Sequence, residues 1–92
     1  MKIFKNIDDK LFDVGFVKVK DDKYCVIYER KKEHNFTQVL TIIHKRNGNH
    51  LLQSYDKNLF DEKKIGNCCV GLTYYETKLI MKKFKQKLKK WN

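Results

Sequence analysis

Ninety-two residues make one domain near the lower end of the usual size range, with room for one hydrophobic core and not for two. Apolar residues make up 41% and charged residues 35%, a balance that excludes a disordered chain but leaves a heavily ionised surface. The net charge of +10, from 21 basic and 11 acidic residues, points towards a polyanionic partner such as nucleic acid.

The kind of basic residue narrows that inference. Nineteen of the 21 are Lys, and only Arg30 and Arg46 are Arg. Arg is the side chain that grips phosphates and guanine edges with two parallel hydrogen bonds, so a Lys-rich surface suggests attraction without sequence preference. An AT-rich genome would enrich Lys in the same way. The opening Met1-Lys2-Ile3-Phe4-Lys5 lacks an apolar run, and no stretch is long enough to cross a bilayer, so neither a leader nor a membrane partner is expected. Cys25, Cys68 and Cys69 are odd in number and include an adjacent pair, which suits free thiols in the cytoplasm of a bacterial cell.

The chain has no proline, so its turns are made with Gly, Asn and Asp. A short helix is expected first, with Asn6 as N-cap, Asp8 and Asp9 in the first turn, and Ile7, Leu11 and Val14 at helical spacing. Gly15 follows as the residue after the cap, and Phe16 can fold back on the last turn. Strands are expected at Phe16 to Lys20 and Tyr24 to Arg30, joined by Asp21-Asp22-Lys23. The longest strand, Phe36 to Lys45, is apolar on both faces, as a central strand would be: Phe36, Leu40 and Ile42 on one, Val39 and Ile43 on the other. Asn47-Gly48 is a strong hairpin signal leading into a return strand from Asn49 to Tyr55. Residues 56 to 69 give mixed turn signals, and a short extended piece at Cys68-Cys69-Val70 precedes the last helix. Thr73 and Glu76 form a capping box for that helix, Tyr74 to Trp91. The expected fold is α+β: a four-stranded antiparallel sheet of two hairpins, with a short N-terminal and a long C-terminal helix on one face.

The terminal helix, about 27 Å long at 1.5 Å per residue, is where the charge sits. Residues 77 to 92 carry +7, while residues 1 to 76 carry +3, from 14 basic and 11 acidic residues. On a helical wheel Ile80, Met81, Phe84, Leu88 and Trp91 share one stripe. Lys78, Lys82, Lys85 and Lys89 gather opposite, with Lys83, Lys87 and Lys90 flanking the stripe. The plain alternative is that the stripe packs on the sheet and the lysines form a solvated face. The sharper expectation is a footprint for a phosphate backbone, helped by Lys45 and Arg46 at the hairpin tip. A membrane-surface or calmodulin-target helix also fits the pattern.

Other constellations are weaker. The tip His44-Lys45-Arg46-Asn47-Gly48-Asn49-His50 offers Arg46, Asn49 and His50 as protein-contact candidates, although Asn-Gly-Asn is also ordinary turn chemistry. Cys68, Cys69, His44 and His50 lack the paired spacing of a structural zinc site, so no metal is expected, and the cysteines suit small buried positions. Tyr24, Tyr28, Tyr55, Tyr74 and Tyr75 could stack bases or simply cover the sheet. There is no phosphate loop, nucleophile elbow or metal-ligand pattern, so neither a catalytic residue nor a cofactor is expected.

Phe36-Thr37-Gln38-Val39, the run from Asn49 to Asp56, and Gly66 through Glu76 with its GLTYYE helix start resemble small phage and prophage proteins of low-GC Gram-positive bacteria. The resemblance implies a mobile-element gene whose product is non-catalytic. Such a product binds nucleic acid or a nucleoprotein complex, or disables a host-defence complex by protein contact in an anti-CRISPR-like manner. Many such inhibitors mimic DNA with acidic surfaces, whereas this chain is basic. The leading expectation is a binding protein that engages nucleic acid through the Lys-rich helix, with inhibition of a host protein or capture of a small anionic nucleotide as alternatives.

Overall fold

The computed structural model describes residues 5–32, 36–58 and 69–91. In chain order these form α1 (Ile7–Asp13), β1 (Val17–Asp21), β2 (Cys25–Lys32), β3 (Phe36–Ile43), β4 (Leu51–Asp56) and α2 (Tyr74–Trp91). The strands make one antiparallel sheet in the order β1-β2-β3-β4. The α+β expectation holds, and so does the place of α2. Leu59 and Phe60, the expected turn at Gly66-Asn67, and Cys68 at the start of the expected extended piece lie outside the described residues.

α1 is closed at both ends by its own sequence. The Asn6 side chain accepts from Asp9 N at 2.8 Å while Asp9 accepts from Asn6 N, a capping box that uses Asp where Glu is usual. At the far end Gly15 N donates to Phe12 O and Phe16 N to Leu11 O, both at 2.9 Å, the paired bonds of a Schellman stop. Gly15 adopts φ +100°, a conformation only glycine takes without strain. The chain then enters β1, whose pairing with β2 shifts by one residue between Lys18 and Lys20.

One face of the sheet carries both helices. Val26 and Tyr28 of β2 and Leu40 and Ile42 of β3 meet Leu11 of α1, Phe16, and Leu79 and Ile80 of α2, all buried. Each such aliphatic side chain contributes about 1.5–3 kcal/mol through its removal from water. β3 is an inner strand, and Gln38 through Ile42 are buried without a break, which agrees with its apolar residues on both parities. The stripe on α2 is rotated from the expected one: Leu79 is buried and Met81 is 39% exposed. The sheet meets α2 along Glu76, Leu79, Ile80 and Phe84, and a wheel that ranks residues by hydropathy alone passes over the buried Glu76.

Glu76 anchors the start of α2. Its carboxylate accepts from Thr73 N at 3.0 Å while Glu76 N donates to Thr73 Oγ1 at 3.1 Å, which completes the predicted capping box. The same carboxylate pairs with Arg30 on β2. Arg30 lies over the Phe16 ring at 4.2 Å and also donates to Val14 O at 3.0 Å and Gln38 Oε1 at 2.7 Å. Gln38 in turn donates to Ser54 Oγ at 2.9 Å and Gly71 O at 3.3 Å. One guanidinium thereby ties α1, the sheet and α2 together. Gly15 gives it room, since a Cβ there would lie 3.0 Å from Arg30 Cδ.

The β3–β4 connection is longer than the Asn47-Gly48 signal implied. β3 ends at Ile43 and β4 begins at Leu51, so residues 44–50 form the loop, with Gly48 at φ +84°. Past β4, Asn58 N donates to Asp56 Oδ1, and Val70 N donates to Ser54 O beside a single bridge between Tyr55 and Cys69. Cys69 is exposed, which corrects the expectation of a small buried position there: the backbone at 69 pairs with the sheet edge and leaves the thiol outside, while Cys25 on β2 is half-buried.

Candidate nucleic-acid interface

The lysines of α2 divide into two sets. Lys83 and Lys87 turn inwards, to carboxylates on α1 and β1. Asp8 accepts from Lys18 at 2.8 Å, lies 3.3 Å from Lys83, and also receives the Tyr28 hydroxyl. Asp21 pairs with Lys87 at 2.8 Å and Lys18 at 3.1 Å, and Lys87 also donates to Asp22 O at 3.1 Å. Burial pushes the Asp8 and Asp21 carboxyls up, but the bonds from Lys18 and Tyr28 to Asp8, and from Lys87 and Lys18 to Asp21, outweigh it and hold both below their ordinary value. Burial, and then the bond to Asp8, raise the Tyr28 hydroxyl far above its ordinary value. These groups hold α2 on the sheet.

Lys78, Lys82, Lys85 and Lys89 face outwards. All four are exposed, and none makes an ion pair with a described residue. Every described carboxylate is engaged elsewhere: Asp13 by Lys5, Asp22 by Lys20, Glu29 by Lys57, Asp9 by the α1 cap, and Asp56 by Asn58. Among the described residues the outer set therefore has no compensating anion. Lys82, Lys85, Gln86 and Lys89 also form one wall of an open groove of about 430 Å³, whose other wall is Lys5, Asn6, Ile7 and Lys10. Lys5 and Lys10 went unmarked in the sequence because their place beside α2 depends on how the two helices pack.

The hairpin tip is separate. Lys45 and Arg46 are exposed, and neither is among the described residues that line the groove. Arg46 donates to the Tyr24 hydroxyl at 3.2 Å, its guanidinium 5.8 Å from the ring centre. Asn49 N donates to Asn47 Oδ1 at 3.0 Å, and Lys45 N donates to His50 Nδ1 at 3.2 Å. His44 is buried with its ring 4.7 Å from His50 and 5.4 Å from Phe84 of α2. Phe84 lies across the helix from the lysine stripe, so the tip and the stripe occupy different sides of α2. The expected single footprint resolves into two patches.

Of the tyrosines, Tyr28 is core, Tyr24 holds Arg46, and Tyr74 and Tyr75 are 80% and 51% exposed. Among the described residues no three His, Cys, Asp or Glu side chains converge as metal ligands, and no helix is long and apolar enough to cross a membrane. Compared with protein families, curated proteins and solved structures, the chain matches none.

Proposed function

We propose that this is a non-enzymatic binding protein that holds the phosphate backbone of a nucleic acid on the outer face of α2, as the product of a phage-type gene would. The observation that carries the reading is the division of the α2 lysines: Lys83 and Lys87 are paired inwards, while Lys78, Lys82, Lys85 and Lys89 are exposed without ion pairs among the described residues. The outer four span eleven residues, about 16 Å along the axis. That equals the axial run of about five nucleotides at 3.4 Å each. Lys10 and Lys5 extend the positive field across the groove, although Asp13 offsets Lys5.

Four lysine–phosphate contacts on a duplex predict a slope of log K against log salt near −3.6, or about a 150-fold loss of affinity between 50 and 200 mM salt. Replacing Lys78, Lys82, Lys85 and Lys89 together by Glu abolishes binding and leaves the circular dichroism spectrum unchanged. No binding at low salt, or binding indifferent to salt, refutes the reading. A second reading, inhibition of a host-defence complex by protein contact, draws on the way Tyr24 pre-positions Arg46 beside Asn49 and His50. It predicts a stoichiometric complex resistant to nuclease and lost on Arg46→Ala.

A further inference from the structure

We infer that the nucleic acid held by α2 is single-stranded, with Tyr74 and Tyr75 as its base-stacking platform. The inference rests on the proposed function and adds the form of the ligand.

The first turn of α2 needs Thr73 and Glu76 for its cap and leaves the two residues between them on the surface, Tyr75 at 51% exposure. Both are nevertheless large and aromatic, and Tyr74 is 80% exposed. Tyrosine is a poorer helix former than the Lys or Glu that suits such a position. The Tyr74 ring therefore contributes little to the fold that a smaller side chain would not, and about half of the Tyr75 surface is left open. An exposed flat ring at the end of a cationic stripe has a clear use, because any nucleobase can stack on it.

The stripe itself begins with Tyr74. Lys78 is four positions after Tyr74 and Lys82 four after Lys78, followed by Lys85 and Lys89, so one outer face reads ring, then four cations. The Lys78 ammonium lies 5.3 Å from the centre of the Tyr74 ring, which sets a phosphate-binding charge beside the stacking surface. The Tyr74 ring thus has a cation next to it, the arrangement a strand needs to lay down a base and its phosphate together. In a duplex the base faces are stacked within the helix and closed to a side chain on a rigid helix surface. Unpaired bases can turn out onto the rings while the backbone follows the lysines.

The test measures fluorescence anisotropy of a labelled oligothymidine of about twelve nucleotides and of a duplex of the same length, each against the intact chain and the Tyr74→Ala/Tyr75→Ala variant. A strand of oligouridine is run in parallel, since DNA and RNA share the chemistry. The intact chain binds a single strand at least tenfold more tightly than the duplex. The double variant loses ten- to a hundredfold on the single strand and less than twofold on the duplex. Tyr74→Phe/Tyr75→Phe restores the single-strand affinity, which a merely structural role for the hydroxyls would not allow. Both alanine positions are exposed, so thermal melting of that variant stays within a few degrees of the parent. Equal binding of strand and duplex, or no loss on alanine substitution, overturns the inference and leaves the lysine interface standing. No binding of either form overturns both.

Discussion

Lys83 and Lys85 are two residues apart on one helix and have opposite uses. Lys83 has a side chain only 12% exposed and lies against Asp8 and Asp21, where it counters charges that burial would otherwise penalise. Lys85 is exposed and has no described anion near it. Net charge cannot tell them apart, and neither can the identity of the residue. What separates them is the angle each takes around α2, and whether the strands and α1 deliver a carboxylate at that angle. A lysine count therefore overstates an interface: of the six helix lysines whose side chains are described, two are engaged in the fold.

The comparison breaks most severely if α2 is cut from the sheet. Arg30→Ala removes the cation that joins Glu76, Gln38 and the end of α1, and leaves Glu76 buried without its counter-charge. The expected loss is about 3 kcal/mol in denaturant unfolding. Burial raises the Glu76 carboxyl, but the bond from Arg30 and the Thr73 backbone outweigh it and hold it low. Its stabilising contribution is present above the ordinary carboxylate value and lost as pH falls through the lower folded one. The Arg30→Ala variant accordingly shows a shallower acid limb below about pH 4. An unchanged midpoint at neutral pH would mean that the apolar contacts of Leu79 and Ile80 alone seat the helix.

A smaller effect sharpens the division between the lysine sets. Lys83→Met keeps the buried stem and deletes the charge, with Lys18 still beside Asp8. Stability falls by about 1 kcal/mol, since these pairs are only partly buried. Nucleic-acid affinity changes less than twofold. Lys85→Met does the reverse, leaving stability within about 0.5 kcal/mol and weakening binding. If both variants weaken binding alike, the inner lysines also face the ligand and the division is wrong.

Much of this was legible in the sequence wherever the signal is local. The Asn6 cap, the Gly15 stop and the Thr73–Glu76 box each rest on a few adjacent residues, and α2 spans the predicted Tyr74–Trp91. The outer lysines follow from helical periodicity alone. The Arg30–Glu76 pair joins residues 46 apart, and Asp8 meets Lys83 across 75, so both depend on strand order and helix seating that no local pattern encodes. The same holds for Lys5 and Lys10. The hairpin tip is legible only in part: Asn47-Gly48 marks a turn, but the strands stop at Ile43 and Leu51, and the loop between them includes His44, buried against Phe84, a contact no local pattern encodes.

That buried histidine carries the smallest prediction, and it bears on the inner lysines too. Burial, then the neighbouring His50, then Lys87 lower the pKa of His44 below its ordinary value of 6.5. In the unfolded chain the imidazole protonates as pH falls through about 6.5, while in the folded protein it stays neutral to a lower pH. The unfolded state then binds more protons, so stability declines as pH falls through that window, by less than about 1.4 kcal/mol per pH unit for one proton. Above the window both states are neutral and His44 has no effect. His44→Leu removes this slope between pH 6.5 and 5, measured by denaturant unfolding at each pH. Lys87→Met reduces it in part, because Lys87 is one of the charges that oppose protonation while it also pairs with Asp21. Identical slopes in the parent and His44→Leu would mean that the ring accepts its proton without penalty, and that Lys87 contributes only its ion pair. The inner face of α2 is thus held by charges that repel one neighbour as they bind another, whereas the outer lysines have no such conflict among the described residues.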